Sequence, residues 1–457
     1  MTTLQANVGG FQAEVESVRE QLRDGQLGAI REVLTDGIIL RACAELGLAF
    51  RERVLTPVVT VLHMIAAAFG SNATTRSEGS FSGAWKLHGS EPVSSAALAR
   101  ARGRLPEGLW RSLHTTVSGI AANASAPWAV WCGHRVVDLD GTCVSMEDNP
   151  ALKETFGVSK GRHGLGRYPL ARMVVAILWG TMTILEYAVG GYVSSEWALA
   201  TQALAGLLPG DLVVGDRCFA GAHYYAIYLA RGLQFVTRAH QRLIVNRLPR
   251  IMESSPDDFI TTLQINPHYR REDPTLPETV TVRMIRVEAR IRGKFGFMWL
   301  VTSLLDQTKY PASGIARLYA GRWRIETAFR ELKVVCGADV LRSKTPEGIR
   351  KEIAARVIAV NLVRTIMIDA ARRHGCEPTR LSFSGALRAV ASTSIRMSAA
   401  PVYDLMALYE LMLAGIAADV VPDRPDRDEP RAVCRERKHY PHLRGPRAEW
   451  RLAHAKA

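Results

Sequence analysis

Residues 315–333 read IARLYAGRWRIETAFRELK, a stretch with no proline and a single glycine, Gly321. Its composition predicts one continuous helix. At about 100° per residue, Tyr319, Arg322, Glu326 and Lys333 fall within roughly a 60° arc of one helix face. Leu318, Ile325, Phe329 and Leu332 form the adjoining apolar stripe, which would bury the helix against a sheet. One face thus presents a hydroxyl, two cations and a carboxylate beside a packed face. A solvated amphipathic helix with Arg322 and Glu326 as an i,i+4 pair explains the same pattern equally well. The choice between them rests on the chain upstream.

There the period changes to two. In RVVDLD, residues 135–140, Val137 and Leu139 share one strand face while Asp138 and Asp140 share the other. Asp140-Gly141 is a turn signal, after which TCVSM resumes as strand. Residues 171–180 and 181–192 continue as strands, and a helix is expected over about 196–208. DLVVGD, a buried-looking strand, ends at Asp216, and a helix over 221–232 leads into LQFVTR. Three antiparallel-type strands, then helix, strand, helix and strand, form the opening half of a ribonuclease-H-like α/β fold. Such a fold is a mixed sheet flanked by helices, with its first and fourth strands side by side at the centre.

Residues 239–303 break that rhythm with repeated prolines and alternating stretches. TVTVRMIRVEARI and FGFMWLVTS flank Arg292-Gly293-Lys294, a hairpin turn. This segment reads as a β-rich insertion carrying Arg238, His240, Arg242, Arg247 and Arg250 near its entry. Helices resume from about 313, and 350–368 and 401–416 are strongly apolar helices that complete the core. Residues 1–125 read as a helical N-terminal domain. In it Thr56-Pro57 starts a helix running to Phe69, and Ser94 or Ser95 caps another over AALARARGRL. Arg100, Arg102 and Arg104 make that second helix a candidate for DNA contact, although a basic surface helix would carry the same residues. The expected division is therefore 1–125, core 130–238, insertion 239–303, core 304–370, a helical region 371–421, and a basic, poorly ordered tail 422–457.

The bulk numbers fit. A chain of 457 residues exceeds one hydrophobic core, and 47% apolar with 22% charged residues is globular composition. A net charge of +14 favours a polyanionic partner. Seven scattered cysteines without a C-x-x-C pair argue against a disulfide framework or zinc, and for a reducing cytoplasm. The polar, acidic N-terminus is no signal peptide. The longest apolar run, 57–69, is too short to cross a bilayer, so no membrane association is expected.

Three carboxylates stand out by position: Asp140 and Asp216 at the ends of strands expected to be neighbours, and Glu326 on the helix after the insertion. Asp138 competes with Asp140 on pattern alone. Oxygen-only ligands suit Mg²⁺ or Mn²⁺. Two such ions about 4 Å apart can activate a nucleophile and stabilise the leaving oxygen of a phosphoryl displacement. Singly, each carboxylate is as readily structural; the conjunction is what points to chemistry.

These residues resemble the DDE transposases of bacterial insertion sequences, in the group with the signature Y-x2-R-x3-E-x6-K. Tyr319, Arg322, Glu326 and Lys333 match it without gaps. Asp140-Gly141-Thr142 is similar to the family's first aspartate motif, and Asp216 to Phe219 to its second, Asp-Arg-x-Phe. Thr302-Ser303-Leu304 and Asn361 to Arg364 also look like the family, and the likeness covers about residues 30–370. The resemblance implies that Asp140, Asp216 and Glu326 hold two Mg²⁺ ions, with Mn²⁺ able to substitute. It implies that Tyr319, Arg322 and Lys333 contact DNA phosphates, with Arg217 among the DNA-facing cations. Trp299 is the candidate for an aromatic wedge beside a cleaved strand, although it is one residue out of step with Thr302 and a core role explains it too. The implied partners are double-stranded DNA, both element ends and target, and a second copy in a synaptic homodimer; the implied location is the nucleoid. A catalytically silent, transposase-derived regulator is the alternative.

Overall fold

The computed structural model of the chain describes residues 33–50, 54–68, 94–161, 164–291 and 294–422. The expected tail, the loop after the Thr56 helix and the turn residues Arg292 and Gly293 lie outside these. Among the described residues four helices come first: α1 (Asp36–Glu45), α2 (Pro57–Ala67), α3 (Ser95–Arg104) and α4 (Glu107–Ala124). The side chains of Thr56 and Ser94 accept the N–H of Val59 and Ala97, so both expected caps are made; a cap of this kind contributes roughly 1 kcal/mol.

The sheet follows. Its strands are β1 (Val130–Trp131), β2 (His134–Met146), β3 (Val158–Gly161), β4 (Gly164–Leu178), β5 (Ile184–Gly191), β6 (Leu212–Gly215), β7 (Gln234–Arg238), β8 (Met252–Ser255), β9 (Asp258–Gln264), β10 (Thr279–Ile291), β11 (Lys294–Thr302) and β12 (Val340–Leu341). Between and after them lie α5 (Pro150–Phe156), α6 (Glu196–Ala203), α7 (Ala222–Ala230), α8 (Pro267–Glu272), α9 (Ala312–Gly321), α10 (Arg324–Arg330), α11 (Pro346–His374), α12 (Phe383–Ala399) and α13 (Val402–Ala418). The order across the sheet is β3-β4-β2-β6-β7-β11-β10-β9-β8, with β5 on β4 and β1 and β12 on β2. β2 runs antiparallel to β4 and parallel to β6, and β6 runs parallel to β7. The strands of 239–303 continue this sheet, β11 pairing with β7.

Alternation along β2 decides the layers. Val137 and Leu139 pack with α6 and α7 on one face. Val136 packs with Ile315, Leu318 and Tyr319 of α9 on the other, which is the face of Asp138 and Asp140. α11 is buried nearly all round, as a central helix must be. Each Ile or Leu it buries contributes roughly 1.5–3 kcal/mol.

Two local expectations fail for physical reasons. Asp140-Gly141 makes no turn: β2 runs straight through, with Gly141 opposite Val174. A Cβ on Gly141 would stand 2.9 Å from the Glu196 carboxylate, so this glycine admits a neighbour and does not reverse the chain. Nor is 315–333 one helix. It ends at Gly321, turns through Arg322 and Trp323, restarts as α10, and loosens to a π-helix over Glu331–Val335. Around the seam the bonds tighten to i→i−3, with Arg322 donating to Tyr319, Ile325 to Arg322 and Glu326 to Trp323. Gly321 sits against the Trp179 indole, where a Cβ would be 2.5 Å from Nε1. The expected apolar stripe nonetheless packs inward, Leu318 buried in one core and Ile325 and Leu332 in another, with Phe329 partly buried against it.

The two motifs outside the carboxylates are framework. The Thr302 hydroxyl donates to the Phe235 carbonyl (2.7 Å) and accepts from Leu304 N–H, while Ser303 Oγ accepts the Phe235 N–H. Together they weld β11 to β7. Asn361 on α11 grips Ile184 through both its N–H and its C=O (2.9 and 2.8 Å). Arg364, one turn later, pairs with the buried Glu331 carboxylate, fastening the end of the signature segment to α11.

Candidate active site

β6 ends at Gly215, level with Leu139 of β2. Asp140 is therefore the first β2 residue past the end of its parallel neighbour, and Asp216 the first residue past β6, so the two carboxylates meet at a notch in the sheet. Each is held by a backbone donor. Gly141 N–H reaches Asp140 Oδ1 at 2.7 Å, and Cys218 N–H reaches Asp216 Oδ1 at 2.7 Å, where Asp216 caps a short 3₁₀ turn. Burial, with smaller contributions from the negative charges of Asp216 and Glu196, pushes the Asp140 carboxyl up to about 6, against the pull of Gly141 N–H and Arg322. A carboxyl raised by burial and by a neighbouring carboxylate calls for a cation.

Arg322 supplies one. Its Nη1 lies 3.2 Å from Asp140 Oδ2, with both side chains largely buried. Its guanidinium lies 5.8 Å from the ring centre of the buried Tyr319 and 5.5 Å from that of the exposed Trp323. Arg322 thus caps the end of α9 and lies at the notch.

The remaining residues singled out by sequence divide as follows. Asp138 is wholly buried, so Asp140 is the one of the two that opens on the notch. Glu326 is exposed on α10, and among the described residues no three His, Cys, Asp or Glu side chains are gathered as a metal cage. Lys333 is half-buried in the π-helical turn. The exposed Arg217 donates to Gln241 (3.1 Å) beside Asp216. Trp299 is partly buried, edge-on to Phe259 at 5.7 Å. Phe297 of the same strand is exposed, 59% accessible under the Arg286 guanidinium. Arg100 and Arg104 face outward from α3, whereas Arg102 turns inward, its charge acting on buried His63. Residues two apart on a helix do not share a face, so the three arginines form no single stripe.

Two participants have no local signature. Glu196, at the first turn of α6, brings a third carboxylate next to Asp140 over the bare face of Gly141. Arg283 of β10, 1% exposed, forks onto Asp258 (2.7 and 2.6 Å) and donates to the Tyr310 carbonyl (2.6 Å) just before α9. The only hint of Arg283 in the sequence is an arginine in step with Ile285 and Val287 on an apolar strand face.

Comparison with known proteins gives the family. The family description "Transposase DDE domain" matches residues 131–362. The chain belongs to the DDE transposase family. It is 27% identical over 371 residues to the transposase InsG for insertion sequence element IS4 of Escherichia coli (strain K12), covering 78% of this chain and 80% of that one. It is 37% identical over 81 residues to the putative transposase InsL for insertion sequence element IS186A of the same organism, covering 18% and 22%. A solved structure of the piggyBac transposase synaptic complex with hairpin DNA aligns at TM-score 0.42 and 11% identity, covering 89% and 88%, too low a likeness to bear on this chain. Among the described residues no helix is long and apolar enough to cross a membrane.

Proposed function

We propose that this chain binds the terminal inverted repeats of an insertion sequence and catalyses divalent-metal-dependent cleavage and strand transfer of double-stranded DNA from a ribonuclease-H-like core. The observation that carries the proposal is the meeting of Asp140 and Asp216 where β6 ends, with a guanidinium in the position a cation would take. The donors are all oxygen, which fits Mg²⁺, with Mn²⁺ as substitute. Ions held there would activate water or a 3′-hydroxyl and stabilise the leaving oxygen of an in-line displacement.

The protein's own part is positioning. Gly141 and Cys218 N–H fix the planes of the two carboxylates. Glu326, on the far side of the seam at 322–323, joins them when α10 turns towards the notch. Arg322, Tyr319 and Lys333 take phosphates of the element end, and Arg217, Arg100 and Arg104 extend the cationic surface. Trp299 would serve as a wedge only by leaving Phe259. Two copies act together on paired ends.

The exposed place of Glu326 favours one second reading, a regulator that binds ends without cutting. End-DNA cleavage separates the two. With Mg²⁺ the protein is expected to nick or cut DNA carrying its terminal repeats, and with chelator it is expected only to bind. Binding without metal-dependent cleavage would favour the regulator. Arg322→Ala and Lys333→Ala should each lower the slope of log affinity against log salt by roughly 1, the signature of one lost phosphate contact.

A further inference from the structure

Beside the aspartate pair lie buried polar atoms that the reading above does not use. Both carboxylate oxygens of Asp138, and Nε of Arg322, are buried without a hydrogen-bond partner. Asp138 stands on the same face of β2 as Asp140, two residues deeper, opposite Val214 and Ile177. The charged groups facing it are Arg322, Arg324 and Asp140. Arg324 lies over the Trp179 ring at 4.9 Å, and Arg322 spends Nη1 on Asp140. Buried groups left unpaired are costly. An orphan donor and two orphan acceptors side by side imply a second arrangement in which they meet. Arg322 sits at the seam where the α-helical ladder gives way to i→i−3 bonds.

We propose that Asp138 is a positioning residue, a second seat for Arg322: when a divalent cation takes Asp140, the guanidinium passes to Asp138 and stays at the site facing DNA. The proposal rests on the reading that Asp140 binds a cation. In the metal-free protein Arg322 balances Asp140; once the cation arrives, that balance becomes repulsion and the arginine must leave. With Asp138 beneath it, the arginine moves by one pleat instead of being expelled to solvent. Only hydrogen bonds and ion pairs exchange.

The test is a double-mutant cycle read in Mn²⁺ binding to the full chain without DNA, followed by the paramagnetic signal of free Mn²⁺. The proteins are wild type, Asp138→Asn, Arg322→Ala and the double variant, with Asp140→Asn as control. Arg322→Ala is expected to tighten binding, because the competing cation is gone. Asp138→Asn is expected to weaken it by roughly three- to tenfold, and to have no effect in the Arg322→Ala background, the mark of coupled residues. A weakening that persists in the double variant would mean that Asp138 acts on the cation directly, and overturns the proposal. If Asp138→Asn does not fold, the Arg322→Ala arm decides alone: unchanged Mn²⁺ affinity overturns the proposal. Mn²⁺ that binds wild type and Asp140→Asn equally overturns both this inference and the cation site beneath it.

Discussion

Alanine at Asp140 or Asp216 is expected to remove metal-dependent cleavage of element-end DNA while leaving the fold and end binding in place. Asp140 lies past the last β2 residue paired with β6, Asp216 lies just past β6, and each side chain accepts one backbone N–H from within two residues, so the pairing of the sheet does not depend on either side chain. Loss of a single electrostatic stabiliser costs about 10²–10³ in rate; loss of half the oxygen donors of the notch should exceed that, at roughly 10³-fold or more. Retained binding is what distinguishes a chemical defect from misfolding. Asp216→Ala relieves repulsion on Asp140 and should leave thermal stability unchanged or slightly raised, whereas Asp140→Ala strands the largely buried Arg322 and should lower it. Cleavage at the wild-type rate in either variant would remove that residue from the chemistry.

The second large effect is expected far from the notch. Arg283→Met should destabilise the protein by about 3–5 kcal/mol, the cost of stranding one partner of a buried ion pair. Arg283 is 1% exposed and Asp258 only 15%, and the guanidinium also holds the Tyr310 carbonyl at the entry to α9. Tyr310 in turn hydrogen-bonds His134 at the start of β2 through its hydroxyl (2.8 Å). The variant should therefore lose activity along with stability, because α9 carries Tyr319 and leads into Arg322. Arg283→Lys keeps the charge but not the fork, and should fall between the two. Differential scanning calorimetry checks this; an unshifted midpoint would show that the arginine is not a staple.

Where the fold was legible, local pattern and tertiary structure ask for the same residue. The alternation Val137, Asp138, Leu139, Asp140 marks β2 because its two faces meet different layers. Thr56 and Ser94 cap helices within three residues of themselves. What sequence missed is decided at long range. Asp140-Gly141 is a turn pair in isolation, but here the glycine admits Glu196 from α6. Gly321 looks tolerable inside a helix until Trp179 is placed against it, and the next residue, Arg322, meets Asp140. Glu196 could not be chosen over the chain's other carboxylates because nothing near it in sequence sets it apart. The pairing of Asp140 with Asp216 was within reach because Asp216 closes its strand, Asp140 lies on the strand beside it, and the strand order follows from the succession of elements. The place of Glu326 was not, because it depends on the seam.

The central claim is that phosphate oxygens meet a divalent ion held by Asp140 and Asp216. The most direct measurement is cleavage of end DNA in which sulfur replaces one non-bridging oxygen of the scissile phosphate. Mg²⁺ binds sulfur poorly and the softer Mn²⁺ tolerates it. For one of the two sulfur isomers, cleavage should be slowed in Mg²⁺ by roughly tenfold or more, an amount equal to about 1.4 kcal/mol per decade, and restored in Mn²⁺. Equal rates for oxygen and for both sulfur isomers in Mg²⁺, or a slowed isomer that Mn²⁺ fails to restore, would contradict it.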